Sequence, residues 1–149
     1  MSDSSATVAA RIARLLDDNP PIASLSLAVL DCGIRVHSNQ PAVIDALARY
    51  YHDFTRDDVT IDTVVYMLEA DPPEIDVPLK VAPPAPGKTR IKDETADLPD
   101  GRILRKRITG MVFLFGGADN LAIGPCLENL NQVVNFINNR FLLPKHRNI

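Results

Sequence analysis

Apolar residues at Val8, Ile12, Leu15 and Leu16 recur at helical spacing behind the capping candidates Asp3, Ser4 and Ser5, and Pro20-Pro21 closes the run. That stripe predicts an amphipathic first helix. From Ser24 to His37 the period changes to two: Leu25, Leu27 and Val29 alternate with smaller residues, Asp31-Cys32-Gly33 offers a turn, and Ile34 and Val36 alternate again. A β-hairpin is predicted there. Asn39 ahead of Pro41, with Val43, Ile44, Leu47, Ala48 and Tyr51 sharing one face, predicts a second helix capped by Asn39. Two β-rich runs follow, Thr63 to Leu68 and Ile75 to Val81, separated by Asp71-Pro72-Pro73, and read as neighbouring antiparallel strands.

Residues 82–99 read as a proline-rich loop and connection, because Pro83, Pro84 and Pro86 cannot donate ladder hydrogen bonds. Beyond it Arg102–Ile108, Met111–Phe115 and Leu121–Ile123 predict a meander of three short strands, with turns at Asp100-Gly101 and Gly116–Asn120. The last predicted element is a helix over Glu128–Leu142, with Leu130, Val133, Val134, Ile137 and Phe141 on a core stripe. Asn131, Asn135 and Asn138 fall on an adjacent face, and Asn139 and Arg140 end it. Asparagine is a poor helix former, so packing has to hold this segment. The whole reads as one α+β domain over 1–149: helix, hairpin, helix and strands in 1–81, the connection in 82–99, and meander plus amphipathic helix in 100–143.

At 149 residues, with 46% hydrophobic and 23% charged residues, the chain has the makings of one folded core. A formal charge of −3 argues against a nucleic-acid or anionic-membrane binder. The sequence has no apolar run of the ~18 residues that a span requires, and Met-Ser-Asp-Ser-Ser lacks the layout of a signal peptide, so a cytoplasmic location is expected. Cys32 and Cys126 lie far apart without a CxxC or ligand-spaced histidines, which favours buried thiols over zinc.

Gly87-Lys88-Thr89 carries the last letters of a Walker A loop, but Ala82 stands at the leading glycine and three prolines remove the N–H donors that should cradle phosphate. Asp17/Asp18, Asp57/Asp58 and Asp93/Glu94 are adjacent pairs in polar stretches, expected on the solvated surface; acid/base work needs carboxylates converging across a cleft. His37, His52 and His146 are isolated, and no Ser or Cys nucleophile has a nameable base. Arg105-Lys106-Arg107 reads as a charged, solvated edge strand. No catalytic, cofactor-binding or metal-ligating residue is therefore assigned. The candidate interaction residues are Asn131, Asn135, Asn138, Asn139 and Arg140, whose amides can meet backbone groups of a neighbouring element or a partner.

The string from Asp100 onward, DGRILRKRITGMVFLFGGADNLAIGPCLENLNQVVNFINNRF, resembles the N-terminal half of the bacterial proteins called HPr kinase-related kinase B. TGMVFLFG, IGPC and NQVVNFINNR carry the resemblance in order, and it weakens from Leu25 to Val81. The resemblance implies a unit that precedes an ATP- and Mg-dependent kinase core, whose Gly-rich loop ends in GKST. Here Phe141 is followed by Leu-Leu-Pro-Lys-His-Arg-Asn-Ile, so no catalytic residue is carried over and no cofactor is expected in this chain. Phosphoryl transfer depends on that phosphate cradle, its lysine and Mg²⁺. The expectation is thus a truncated or stand-alone non-catalytic portion acting in protein interaction or regulation, with the kinase core, another protein or a second copy as partner. The alternative is an adaptor that binds a kinase-like partner in trans; an independent enzyme ranks third.

Overall fold

The hairpin of β1 (Ala23–Val29) and β2 (Cys32–Ser38) closes through Leu30-Asp31, with Val29 opposite Cys32. The turn comes a residue or two earlier than the Asp-Cys-Gly expectation, and Leu30 takes φ 58° there. In this computed structural model the described residues are 7–81, 83–84, 86–89, 93–117 and 119–146, of which 141–146 are described by backbone alone. The remaining elements are α1 (Val8–Asp18), α2 (Pro41–Tyr50), β3 (Thr63–Glu69), β4 (Lys80–Val81), β5 (Asp93–Leu98), β6 (Gly101–Lys106), β7 (Val112–Phe115), β8 (Asp119–Gly124) and α3 (Leu130–His146). All eight strands form one sheet in the order β1-β2-β3-β8-β7-β6-β5-β4, parallel at β2-β3 and β3-β8 and antiparallel elsewhere. The fold is α+β.

The pairing of Thr63–Leu68 with Ile75–Val81 is overturned. β3 lies inside the sheet between β2 and β8, and four strands separate it from β4. Ile75, Val77 and Leu79 do turn inward against the core, but 75–79 joins no ladder. Pro73 and Pro78 have no N–H to give, so the alternation reports burial without pairing.

The stretch 82–99 also holds more than a connection, since β5 occupies 93–98. β6 is consequently an interior strand, and the edge-strand reading of Arg105-Lys106-Arg107 fails. Its cations meet carboxylates: Arg105 donates to Glu94 Oε1 at 2.6 and 2.9 Å, and Lys106 lies 3.1 Å from Asp93. Asp93 and Glu94 are accordingly half-buried ion-pair partners instead of free surface acids.

Each sheet face carries its own apolar layer. On one face Leu27, Ile34, Val36, Val65, Met67 and Phe113 pack against Val43 and Leu47 of α2 and Val133 and Ile137 of α3. On the other, Val8 and Ile12 of α1 meet Leu68, Ile103, Val112, Leu114, Leu121 and Ile123. Burying one such aliphatic side chain contributes about 1.5–3 kcal/mol, so a few residues suffice to dock each helix.

The helix caps differ from expectation in instructive ways. Asp3, Ser4 and Ser5 lie outside the described residues; Thr7 caps α1, its Oγ1 accepting from Ala10 N at 3.0 Å. Asp100, from the β5–β6 turn, takes the next two donors, Val8 N at 2.7 Å and Ala9 N at 3.0 Å. Asp100 is exposed; desolvation by the nearby helix opposes its charge, but those N–H groups together outweigh it and hold the carboxyl below its ordinary pKa. Because the folded value is depressed, this stabilisation is complete above the unfolded pKa near 4 and is lost as pH falls through the folded value. Asp100→Ala should cost about 1 kcal/mol at pH 7, and in thermal melts its gap from wild type should close in acid.

At α2 the cap is Gln40, whose Oε1 accepts from Ala42 N at 3.3 Å. Asn39, expected in that role, instead clamps two parallel strand ends. Its Nδ2 donates to the Glu69 carbonyl at 3.1 Å, and its Oδ1 accepts from Glu69 N at 2.8 Å.

Candidate interaction face on the C-terminal helix

A 3-10 turn at Leu127–Asn129 leads into α3, anchored where Leu127 N donates to Glu69 Oε1 at 2.9 Å. Val133, Val134, Phe136 and Ile137 are buried beneath the helix. Phe136 was not part of the sequence-read stripe, yet it packs on Phe113 and Phe115 with ring centroids 4.8 and 5.9 Å apart. Phe141, the last residue of that stripe, is among those described by backbone alone.

Successive helical residues rotate by about 100°, and this divides the five candidates. Asn131, Asn135 and Asn139 recur at i, i+4 and i+8 along one outward ridge, all exposed. Asn138 falls on the α2 side, where Tyr51 Oη donates to its Oδ1 at 2.7 Å. Burial, and then Tyr50 beside it, push the Tyr51 hydroxyl far above its ordinary pKa, so it stays protonated and a donor. Arg140 lies five residues past Asn135, about 140° around the helix, and turns inward. Its guanidinium sits over the rings of Phe115 and Phe136, 4.9 and 4.8 Å from their centroids, and reaches Asn120 Oδ1 at 3.4 Å. Burial disfavours its charge and lowers its pKa, and the ring faces offset part of that cost.

The structure therefore brings three of the five together as a surface and uses two internally. Asn131, Asn135 and Asn139 have no side-chain partner among the described residues. Gln132, beside them, is held by Thr109 Oγ1 at 3.1 Å. A groove borders the ridge on each side. Toward α2 it is lined by Leu47, Arg49, Tyr50 and Val134 with Asn131 and Asn135. Toward the sheet it is lined by Leu104, Lys106, Phe113 and Phe136 with Asn135 and Asn139. Each groove thus offers apolar area and one cation beside amides that both donate and accept. That combination suits the polar and apolar surface of another protein.

No family model, curated protein or solved structure matches this chain.

Other sequence candidates take structural places. Gly87 sits in a turn and Lys88 and Thr89 are coil, with the strand β5 from Asp93; residues 90–92 lie outside the described set. Cys32 and Cys126 are buried, and burial, with Glu69 nearby, pushes the Cys126 thiol up to about 12. His52 is exposed beside Asp53 at 3.2 Å, and the His146 side chain is outside the described set. Among the described residues no cluster of three or more His, Cys, Asp or Glu could hold a metal, and no helix is long and apolar enough to cross a membrane.

Sequence reading missed a polar strip on the other sheet face, where β1–β3 extend beyond the core under α1. There Arg35 donates to Ser26 Oγ at 3.1 Å, and His37 stacks on Tyr66 with centroids 5.4 Å apart. Burial, then Arg35, lower the His37 pKa, and Asp119 opposes them. The signal was available in the alternation of Ser24, Ser26, Arg35 and His37 opposite the leucines and valines of the same two strands.

Proposed function

We propose that this chain is a non-catalytic N-terminal portion of an HPr kinase-related kinase B-like protein and serves as a protein-interaction or regulatory unit through the amide ridge of α3. The observation that carries the reading is the outward placement of Asn131, Asn135 and Asn139 without side-chain partners among the described residues, on a helix whose opposite side is buried against α2 and the sheet. The segment that resembles the family, residues 100–141, falls on the consecutive elements β6, β7, β8 and α3, so the motifs form one contiguous part of the fold. Amides recognise a partner's backbone or polar side chains in either polarity, and the flanking Tyr50 and Leu104 supply apolar contact. The fitting partner is the kinase core of that family, with a second copy of this chain as the competing occupant. ATP and Mg²⁺ belong to the core in this reading.

Isothermal titration against a purified HPr kinase-related core that carries a Walker A loop tests the proposal. Saturable binding is expected, weakened at least about tenfold when Asn131, Asn135 and Asn139 are all replaced by alanine. Absent binding, or binding indifferent to the three substitutions, contradicts it. Mg-ATP added to the chain alone should leave its unfolding temperature unchanged at millimolar nucleotide.

A further inference from the structure

On the sheet face opposite α3, a cavity of about 260 Å³ opens between α1, the sheet and the unpaired stretch 71–79. Its floor is Ile103, Val112 and Leu114, all buried, and its walls include Leu15 and Ile75. Arg11 and Arg14 stand one helical turn apart at its side. The Arg11 side chain is only 13% exposed. One terminal nitrogen holds Asp76 at 2.8 Å, and Asp76 is itself 71% exposed. Arg11 Nε is enclosed and has no acceptor among the described residues.

An enclosed N–H left without an acceptor beside apolar surface is costly even on a guanidinium that is ion-paired elsewhere, and an entering acceptor removes that cost. Two features thus point to the same ligand: the floor offers apolar surface, and Arg11 Nε, with Arg14 one turn on, leaves a donor open to an anion although Asp76 already holds one terminal nitrogen. Glu74 and Asp76 line the same cavity and set a limit on that anion, because a multiply charged group meets their carboxylates while a single charge can be shared between the two arginines.

We propose that this cavity binds a small amphipathic monocarboxylate, with its alkyl or aryl body on Ile75, Ile103, Val112 and Leu114 and its carboxylate on Arg11 and Arg14. The size fits a body of about six to ten carbons, at the low end of ligand cavities. Asp76 then acts as the latch that keeps the stretch 71–79 against α1 through Arg11. The site lies across the sheet from the amide ridge and stands or falls separately from it.

Octanoate titrated into the full chain, followed by methyl NMR, is the test, with acetate and octanol as comparators. Saturable shifts are expected at the methyls of Ile75, Ile103, Val112 and Leu114 with octanoate. Acetate should leave them unmoved, and octanol should bind at least about tenfold more weakly, since it lacks the charge-assisted bonds. Arg14→Gln, at an exposed position, should weaken octanoate about threefold or more with the fold intact, and Arg11→Gln about tenfold. Because Arg11→Gln also breaks the Asp76 latch, the octanol comparison and Arg14→Gln carry the test on the unaltered fold. No saturation at millimolar octanoate, octanol binding as tightly as octanoate, or shifts centred on the α3 grooves would overturn the proposal.

Discussion

Ile137→Ala is expected to destabilise the protein by about 3 kcal/mol, read as a lower urea midpoint, within the 2–5 kcal/mol typical of such deletions in a core. Ile137 is fully buried in the layer formed by α2, α3 and the sheet. The helix that carries it has little intrinsic stability to fall back on. Asn131, Asn135, Asn138 and Asn139 each cost about 0.6 kcal/mol relative to alanine in a helix interior, so the segment stays helical through its packed side. On the outward side the sign is opposite: Asn135→Ala should raise stability by about a few tenths of a kcal/mol. A residue whose removal stabilises the fold is one whose benefit lies elsewhere, and this pair of opposite signs separates the anchoring side of α3 from its outward ridge.

Gly33→Ala should be comparably damaging, at about 3 kcal/mol or more by urea unfolding, because the added methyl has nowhere to go. A Cβ at Gly33 would stand 2.1 Å from the Thr60 carbonyl oxygen and 2.7 Å from Val59 Cγ2. Backbone cannot yield there cheaply, since Asp62 N donates to the Gly33 carbonyl at 2.8 Å and Gly33 N donates to Asp62 Oδ2 at 2.9 Å. This close approach brings the chain into β3 alongside β2, at the parallel centre of the sheet. Gly117→Ala, with no heavy atom within 4 Å of the added carbon, should by contrast change stability by less than about 0.5 kcal/mol.

Residues with a clean period were legible and those without one were not. Val8 and Ile12 of α1, the leucines of β1, and Val133 and Ile137 of α3 show their face in spacing alone, and all of them pack as that spacing implies. β3 misled because its nearly unbroken apolar run, Val64 to Leu68, is what a strand covered on both faces looks like, and the choice of neighbour depends on a crossover that spacing does not encode. β5 was missed since Asp93-Glu94-Thr95 has no apolar alternation; it is held by its ladder to β6 and by buried Ala96, with its acids meeting the cations of that strand. Asp100 capping α1, across 92 residues of chain, and Asn39 clamping β3 are tertiary facts of the same kind.

For the candidate face, the density of asparagine on α3 was readable and its division was not. Asn138 and Arg140 turned inward because Tyr51, Phe115 and Asn120 waited there, and no local pattern names those partners. Phe136 could have been found by widening the apolar stripe by one residue, which also places Arg140 on the sheet side.

Hydrogen exchange of the chain with and without a Walker A-bearing HPr kinase-related core tests the central claim most directly. Slowed exchange is predicted along α3 from Leu130 to Asn139 and on the two groove walls, around Arg49-Tyr50 and Leu104–Lys106, with β1 and β4 unchanged. Protection confined to the β1 or β4 edge, or none at a saturating concentration of the core, would contradict the assignment of α3 as the docking element.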